Sequence, residues 1–208
     1  PPRAPAPPRS GLPRHDMAWY GRKATRKELM SKLRYLEPTH SFREVWQYQN
    51  LMFMAAGYLS EQLTGKAWET LVKERIFEPL GMTRSNTSVK DSPNAGDFAW
   101  PYDLVNGVPT RVPFRSLDAV GPAGSINSSV EDMLKYVDWR IRQGEWGGKQ
   151  LIAKATEQDM QSGHMVVGGM ANLLWGGFSQ MAYGLGVGVG FYRGHPAVIH
   201  GGGIDGFI

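Results

Sequence analysis

Apolar residues at helical spacing dominate the chain up to about residue 160. Leu51, Met54, Ala55, Tyr58, Leu59 and Leu63 recur at three- and four-residue steps, which draws one face of a helix, and Gly65 follows as a natural C-cap. Before it, Thr25-Arg26-Lys27-Glu28 has the form of a capping box. Leu29, Leu33 and Leu36 continue at helical steps until Pro38. After Gly65, the run Trp68, Leu71, Val72 and Arg75-Ile76 predicts a second helix, stopped by Pro79 and Gly81. Ser128-Ser129-Val130-Glu131 reads as another capping box, with Val130, Met133, Leu134, Val137 and Ile141 on one face and Gly144 as the stop. A short helix is predicted over Ala153–Gln161.

Two stretches break this rhythm. Residues 83–124 lack long periodicity and are punctuated by Pro93, Gly96, Pro101, Gly107, Pro109 and Pro113. A loop of that length in a compact domain is usually functional or disordered. Its aromatics (Phe98, Trp100, Tyr102, Phe114) favour a cleft wall. Downstream, Tyr183–Tyr192 alternates glycine with apolar residues, Arg193-Gly194 makes a turn, and His195–His200 is a short apolar strand. That is a hairpin. Helices first and antiparallel strands last predict an α+β layout, with a mostly helical lobe over 9–164 and a sheet hairpin over 182–208. No internal repeat is visible.

Composition narrows the function classes. The 208 residues are 41% hydrophobic, a globular proportion, and no apolar run is long enough to span a membrane. The net charge of +4 is concentrated in residues 1–50, where Arg3, Arg9, Arg14, Arg22, Lys23, Arg26, Lys27, Lys32, Arg34 and Arg43 face Asp16, Glu28, Glu37 and Glu44. These basic residues lack interleaved aromatic platforms, so a solvated face is favoured over a nucleic-acid surface. With no Cys, disulfides and thiol catalysis are excluded. Pro1–Pro8 reads as an extended Pro-rich tail, with no apolar core of a signal peptide.

Several motifs are missing or mis-spaced. There is no Gly-x-Ser-x-Gly elbow, and the five His lack zinc spacing, so no metal or cofactor is expected. Gly184, Gly186, Gly188 and Gly190 have the wrong spacing for a dinucleotide loop. Tyr48-Gln49-Asn50 remains, two polar side chains at the mouth of the helix that begins with Leu51. Taken alone, Asn50 reads as a helix N-cap and Tyr48 as a half-buried aromatic with a satisfied hydroxyl. His200 before Gly201, Gly202 and Gly203 reads as a strand-end histidine.

Their joint occurrence with other words changes the reading. Arg9-Ser10-Gly11-Leu12-Pro13-Arg14-His15, Trp46–Asn50, Gly57-Tyr58-Leu59 through Thr64-Gly65, Ile76–Met82, Gly121–Ser125, Tyr183–Gly186 and His200–Phe207 follow one another in order. In this the chain resembles the serine β-lactamase and penicillin-binding-protein family, in the class C-like branch with D-amino-acid peptidases, carboxypeptidases and esterases. The resemblance implies a β-lactamase/DD-peptidase-like fold, a helical lobe packed on a mainly antiparallel sheet with the site between them. It implies that Tyr48 moves protons beside a serine, and that Asn50 bonds the substrate amide and helps orient a lysine. His200-Gly201-Gly202 would stand for the third motif, and Gly203 would lend an oxyanion N–H. Glycines there let substrate lie as an added strand.

Two departures shape the expectation. No serine has lysine three residues on, and the family places that motif ahead of the Ser-Gly-Leu-Pro words. The chain is therefore expected to be a partial domain, truncated at both ends and inactive alone, of a bacterial-type, exported serine hydrolase. Histidine in place of lysine at 200 tilts the substrate from penicillins towards esters or D-peptides. The partner expected is a small-molecule or peptide substrate, with no nucleic acid, no membrane span and no assigned oligomeric state. Two rivals are a non-catalytic scaffold of the same fold and a basic nucleic-acid-binding module.

Overall fold

The computed structural model describes residues 9–168 and 177–208. The Pro-rich tract Pro1–Pro8 lies outside the described residues.

Helix α1 (Arg26–Lys32) starts at the capping box its sequence announces. The Glu28 N–H donates to Thr25 Oγ1 at 3.2 Å, and the Thr25 N–H donates to Glu28 Oε2 at 2.7 Å. A 3₁₀ turn over Leu33–Tyr35 extends it. Helix α2 (Asn50–Thr64) ends at Gly65, whose φ of 69° a glycine adopts without strain. Its buried residues are Leu51, Met54 and Gly57, and the first two form a core with Leu29 of α1 and Val120. Gly57 is required by a close approach, since a Cβ there would lie 2.1 Å from Pro122 Cγ. The 3₁₀ turn Asp118–Ala123 thus rests directly on α2.

The second expected helix is helical throughout but not uniform. α3 (Trp68–Val72) passes through a π turn at Lys73–Phe77 into α4 (Glu78–Leu80). Pro79 does not stop it. The Glu78 N–H reaches back five residues to Lys73 O, and this wide turn accommodates a ring with no N–H of its own. Gly81, at φ 65°, is the stop.

Helix α5 (Val130–Ile141) starts one residue later than its capping box predicts. Ser129, not Ser128, is the N-cap, accepting from the Asp132 N–H at 3.3 Å. Its orientation also differs from a simple amphipathic reading. Asp132 and Trp139 are buried, while Val130, Leu134 and Ile141 are 75%, 63% and 74% exposed. Trp139 joins Val72, Phe77, Leu80 and Met82 in a second core. Asp132 accepts from the Arg84 N–H at 2.7 Å and the Ser85 hydroxyl at 2.8 Å, tying α5 to the chain after α4. α6 (Lys154–Met160) closes the helical part, and its buried Glu157 pairs with Arg140.

The main sheet is antiparallel throughout, in the order β5 (Met165–Val166), β6 (Phe178–Tyr183), β7 (Gly188–Tyr192), β8 (His195–Ile199). The β7–β8 hairpin turns at Arg193-Gly194, with φ of 49° and 83°. Both signs are positive, as a tight hairpin turn demands. Tyr183 ends β6 instead of opening the glycine-rich strand, and a turn closed by Gly184 N–H to Val187 O at 2.8 Å separates the two strands. The loop 83–124 carries a hairpin of its own, β1 (Tyr102–Val105) with β2 (Val108–Arg111), and β3 (Glu145–Trp146) pairs with β4 (Lys149–Gln150). The architecture is α+β, as the order of elements predicts. The helical part meets the sheet where Val167, Met181, Tyr183 and Ile199 pack with Trp46, Tyr48 and Phe53.

Candidate active site

Tyr48 stands on that seam. The extended residues before α2 bring it in, and Gln49 fixes the entry. Gln49 is fully buried, and its Oε1 accepts from the Met52 N–H at 3.1 Å. Gln49 is therefore the N-cap, and Asn50 is the first helical residue, not the cap that its residue type suggests. Freed from capping, Asn50 turns its amide outward, and Nδ2 donates to Asp16 Oδ1 at 3.1 Å.

The strand side supplies His200, directly after β8. Its ring centroid lies 6.0 Å from that of Tyr48 and 6.3 Å from that of Tyr183. Trp46 and Phe53 complete the aromatic surround of Tyr48 at 6.4 and 5.8 Å. The His200 Nδ1 sits 2.5 Å from Gly201 O. A proton on Nδ1 would be donated to that carbonyl. Gly201 and Gly202 are exposed, and a Cβ on either would meet no atom within 4 Å. A Cβ on Gly203 would lie 3.6 Å from Phe207 O. A tight turn follows, with Ile204 and Phe207 exchanging N–H···O bonds at 3.1 and 2.9 Å.

The structure adds residues that sequence reasoning passed over. Arg14 and Asp16 follow Pro13 in a short turn where His15 takes φ 48°. Asp16 Oδ1 accepts from Asn50 and, at 3.1 Å, from Trp19 Nε1; Oδ2 accepts from Arg14 Nε at 2.5 Å. The Arg14 guanidinium lies 5.7 Å from the centre of the Tyr48 ring. So one carboxylate holds both the asparagine and the cation beside the tyrosine. The only sequence signal was position, since Arg14 and Asp16 flank the end of a matching word.

Electrostatics follow from this placing. Burial pushes the Tyr48 phenol above its usual range; Arg14 opposes the shift and Asp16 adds to it. Tyr183 is pushed up further, by burial and then by Tyr48. At neutral pH both are neutral phenols, fit to donate a proton; acting as a base requires a cation nearby. Among the described residues no group of three or more His, Asp or Glu side chains gathers to hold a metal ion.

Comparisons with known proteins give the family and the fold. The Beta-lactamase family matches residues 8–208. An unguisins hydrolase (ungD′) of Aspergillus campestris is 30% identical over 206 residues, covering 96% of this chain and 37% of that protein. An octameric penicillin-binding protein homologue from Pyrococcus abyssi superposes with a TM-score of 0.77 at 25% identity, over 93% of this chain and 44% of that one. A D-stereospecific amidohydrolase from Streptomyces sp. gives 0.74 at 23% identity, over 98% of this chain and 61% of that one. The chain spans under two fifths of the length of the curated hydrolase it matches, with 37% of that protein covered. With the family matched over residues 8–208 and the helix-on-sheet seam built as described, the chain belongs to the Beta-lactamase family.

Proposed function

We propose that this chain forms the acid/base and substrate-strand side of a serine hydrolase site that opens an amide or ester through an acyl-enzyme. The serine and its lysine lie outside these 208 residues. The observation that carries the proposal is the meeting of Tyr48 and His200, 6.0 Å apart, on the seam between helices and sheet.

Each group has a chemical part. The serine hydroxyl attacks the carbonyl carbon, and its proton passes to Tyr48 as phenolate. Arg14 and the lysine supply the cations that make a phenolate accessible from a phenol of raised pKa. Tyr48 then returns that proton to the leaving amine or alkoxide, and water releases the acid with the proton path reversed. Gly203 offers an N–H to the oxyanion, and the glycine run receives the substrate backbone. Asn50, held by Asp16, bonds the substrate amide. His200 stands where lysine would carry a permanent ammonium, which favours amides and esters over penicillin carboxylates. The presence of a hydrolase and an amidohydrolase among its relatives supports the amide class.

Covalent labelling tests this. A fluorophosphonate should add one label to the whole protein, mapped to a serine of a Ser-x-x-Lys motif. A second reading, a non-catalytic scaffold of the same fold, draws on the absence of that motif from these residues. It predicts no label under conditions that label an active serine hydrolase.

A further inference from the structure

Three separated segments close around a cavity of about 390 Å³, and each brings cations to it. The turn after Trp19 brings Arg22 and Lys23, the chain after Ser88 brings Lys90, and Arg115 comes just before the 3₁₀ turn Asp118–Ala123. Among the described residues that line it, Asp118 is the one acid. The lining includes none of Tyr48, Asn50 and His200.

The walls are anchored in the fold. The 3₁₀ turn rests on α2, and its Val120 is buried in the core with Leu29, Leu51 and Met54. Asp118 ties in the second segment, accepting from Lys90 Nζ at 2.7 Å and from the Ser88 hydroxyl at 2.8 Å. In the first segment, the Arg22 N–H donates to Trp19 O at 3.1 Å and Arg22 Nε donates to Met17 O at 3.0 Å. Backbone acceptors thus hold both the turn and its guanidinium. Gly21 adopts φ 68°, and a Cβ there would lie 3.5 Å from Arg115 Nη1, so the far end of Arg115 reaches this turn.

Charge decides what the cavity takes. Lys90 is matched by Asp118, and Arg115 by Asp205, which accepts from its Nε at 2.5 Å. Asp91, the other carboxylate acting on Lys90, lines a different cavity. Among the described residues Arg22 and Lys23 pair with no carboxylate, and both are open to solvent. The matched carboxylates hold Lys90 and Arg115 in place, and the two unmatched cations leave a double positive charge to neutralise. A concave site lined mainly by one sign of charge concentrates the opposite ion. The two guanidinium groups offer N–H forks that fit the paired oxygens of a phosphate, and the ammonium groups add point charges. A carboxylate would answer only one of the two unmatched charges. The cavity is larger than inorganic phosphate, and Trp19 and Leu117 add apolar wall for an organic substituent. We infer that this cavity binds the dianionic group of a phosphate monoester. The site is separate from the acyl-transfer chemistry, and its recognition does not depend on turnover.

Calorimetric titration of the whole protein with inorganic phosphate and phenyl phosphate, and with acetate as a monoanion, tests this. Flotation with phosphatidic acid vesicles, against phosphatidylcholine vesicles, tests whether a lipid carries the phosphate instead. The inference predicts saturable one-to-one binding of phenyl phosphate with a Kd at or below about 1 mM, at least tenfold tighter than acetate. Arg22→Gln/Lys23→Gln should weaken it at least tenfold. Lys149→Gln/Lys154→Gln removes the same charge from residues outside the lining and should change it less than twofold. Far-ultraviolet dichroism and melting confirm that each variant is folded, and Lys23→Gln alone serves if the double variant is not. Vesicle binding without soluble binding, lost in Arg22→Gln/Lys23→Gln, upholds the phosphate site and assigns it to a lipid headgroup. No binding in either arm overturns the inference, as does acetate bound as tightly as phenyl phosphate. Equal weakening by both pairs of substitutions also overturns it, because only the diffuse positive charge of the surface is then at work.

Discussion

At the residue scale, the chemistry turns on how Tyr48 is surrounded. Asp16 holds both Asn50 and Arg14 and also pushes the Tyr48 phenol up. Asp16→Ala should therefore lower the Tyr48 pKa, read as tyrosinate absorbance appearing at lower pH in a difference titration against Tyr48→Phe. An unchanged titration would mean that Asp16 does not act on the phenol. Tyr183 makes a second case. Its hydroxyl is buried and, among the described residues, has no hydrogen-bond partner. An unpaired buried hydroxyl costs free energy, so Tyr183→Phe should be neutral or stabilising by about 1 kcal/mol in a urea melt. Both phenols are raised above their unfolded value near 10. The folded state then holds their protons longer, so what these two phenols contribute to stability is fully present below about pH 10 and is lost as pH rises beyond it. Tyr183→Phe should flatten that fall, and an equally steep loss in the variant would contradict the assignment.

Elements show where sequence and structure part. The apolar steps Leu51, Met54, Ala55, Tyr58, Leu59 and Leu63 marked α2, although only its first half is buried there and Leu59 and Leu63 are exposed, and the Thr25–Glu28 box gave the start of α1 because both bonds are local. The start of α5 slipped by one residue because Ser128 and Ser129 offer the same hydroxyl, and only Asp132's tertiary bonds to Arg84 and Ser85 choose between them. Asp132 thus carries weight that periodicity does not assign. Asp132→Ala should cost roughly 1–3 kcal/mol, since it takes the acceptor from the part-buried Arg84 N–H and Ser85 hydroxyl. Leu134→Ser on the exposed apolar face should change stability by no more than about 0.5 kcal/mol. A larger loss at Leu134 would mean that this face is covered in solution. Strand β6 went unseen because Phe178–Tyr183 has one buried face only at its end, and its pairing with β7 is non-local.

Across the whole molecule, the candidate site exists only where helical and strand parts meet. Tyr48, Asn50 and His200 could be named from their words and order, because the resemblance carries them as motifs. Arg14 and Tyr183 sit inside matching words and Asp16 just beyond one, but no role attached to them there, because their importance lies in contacts between distant segments. The long loop was legible as an aromatic wall from its rings. Its seating on Gly206 was not, since that depends on Pro101 and the chain meeting it from more than a hundred residues away. The central claim, that Tyr48 moves the proton in acyl transfer, is tested most directly by steady-state kinetics of Tyr48→Phe in the whole protein, with an amide or ester it hydrolyses. The account predicts a fall in kcat of roughly a hundredfold or more, with KM little changed, as expected for a lost positioned acid/base. A kcat within threefold of the parent would contradict it.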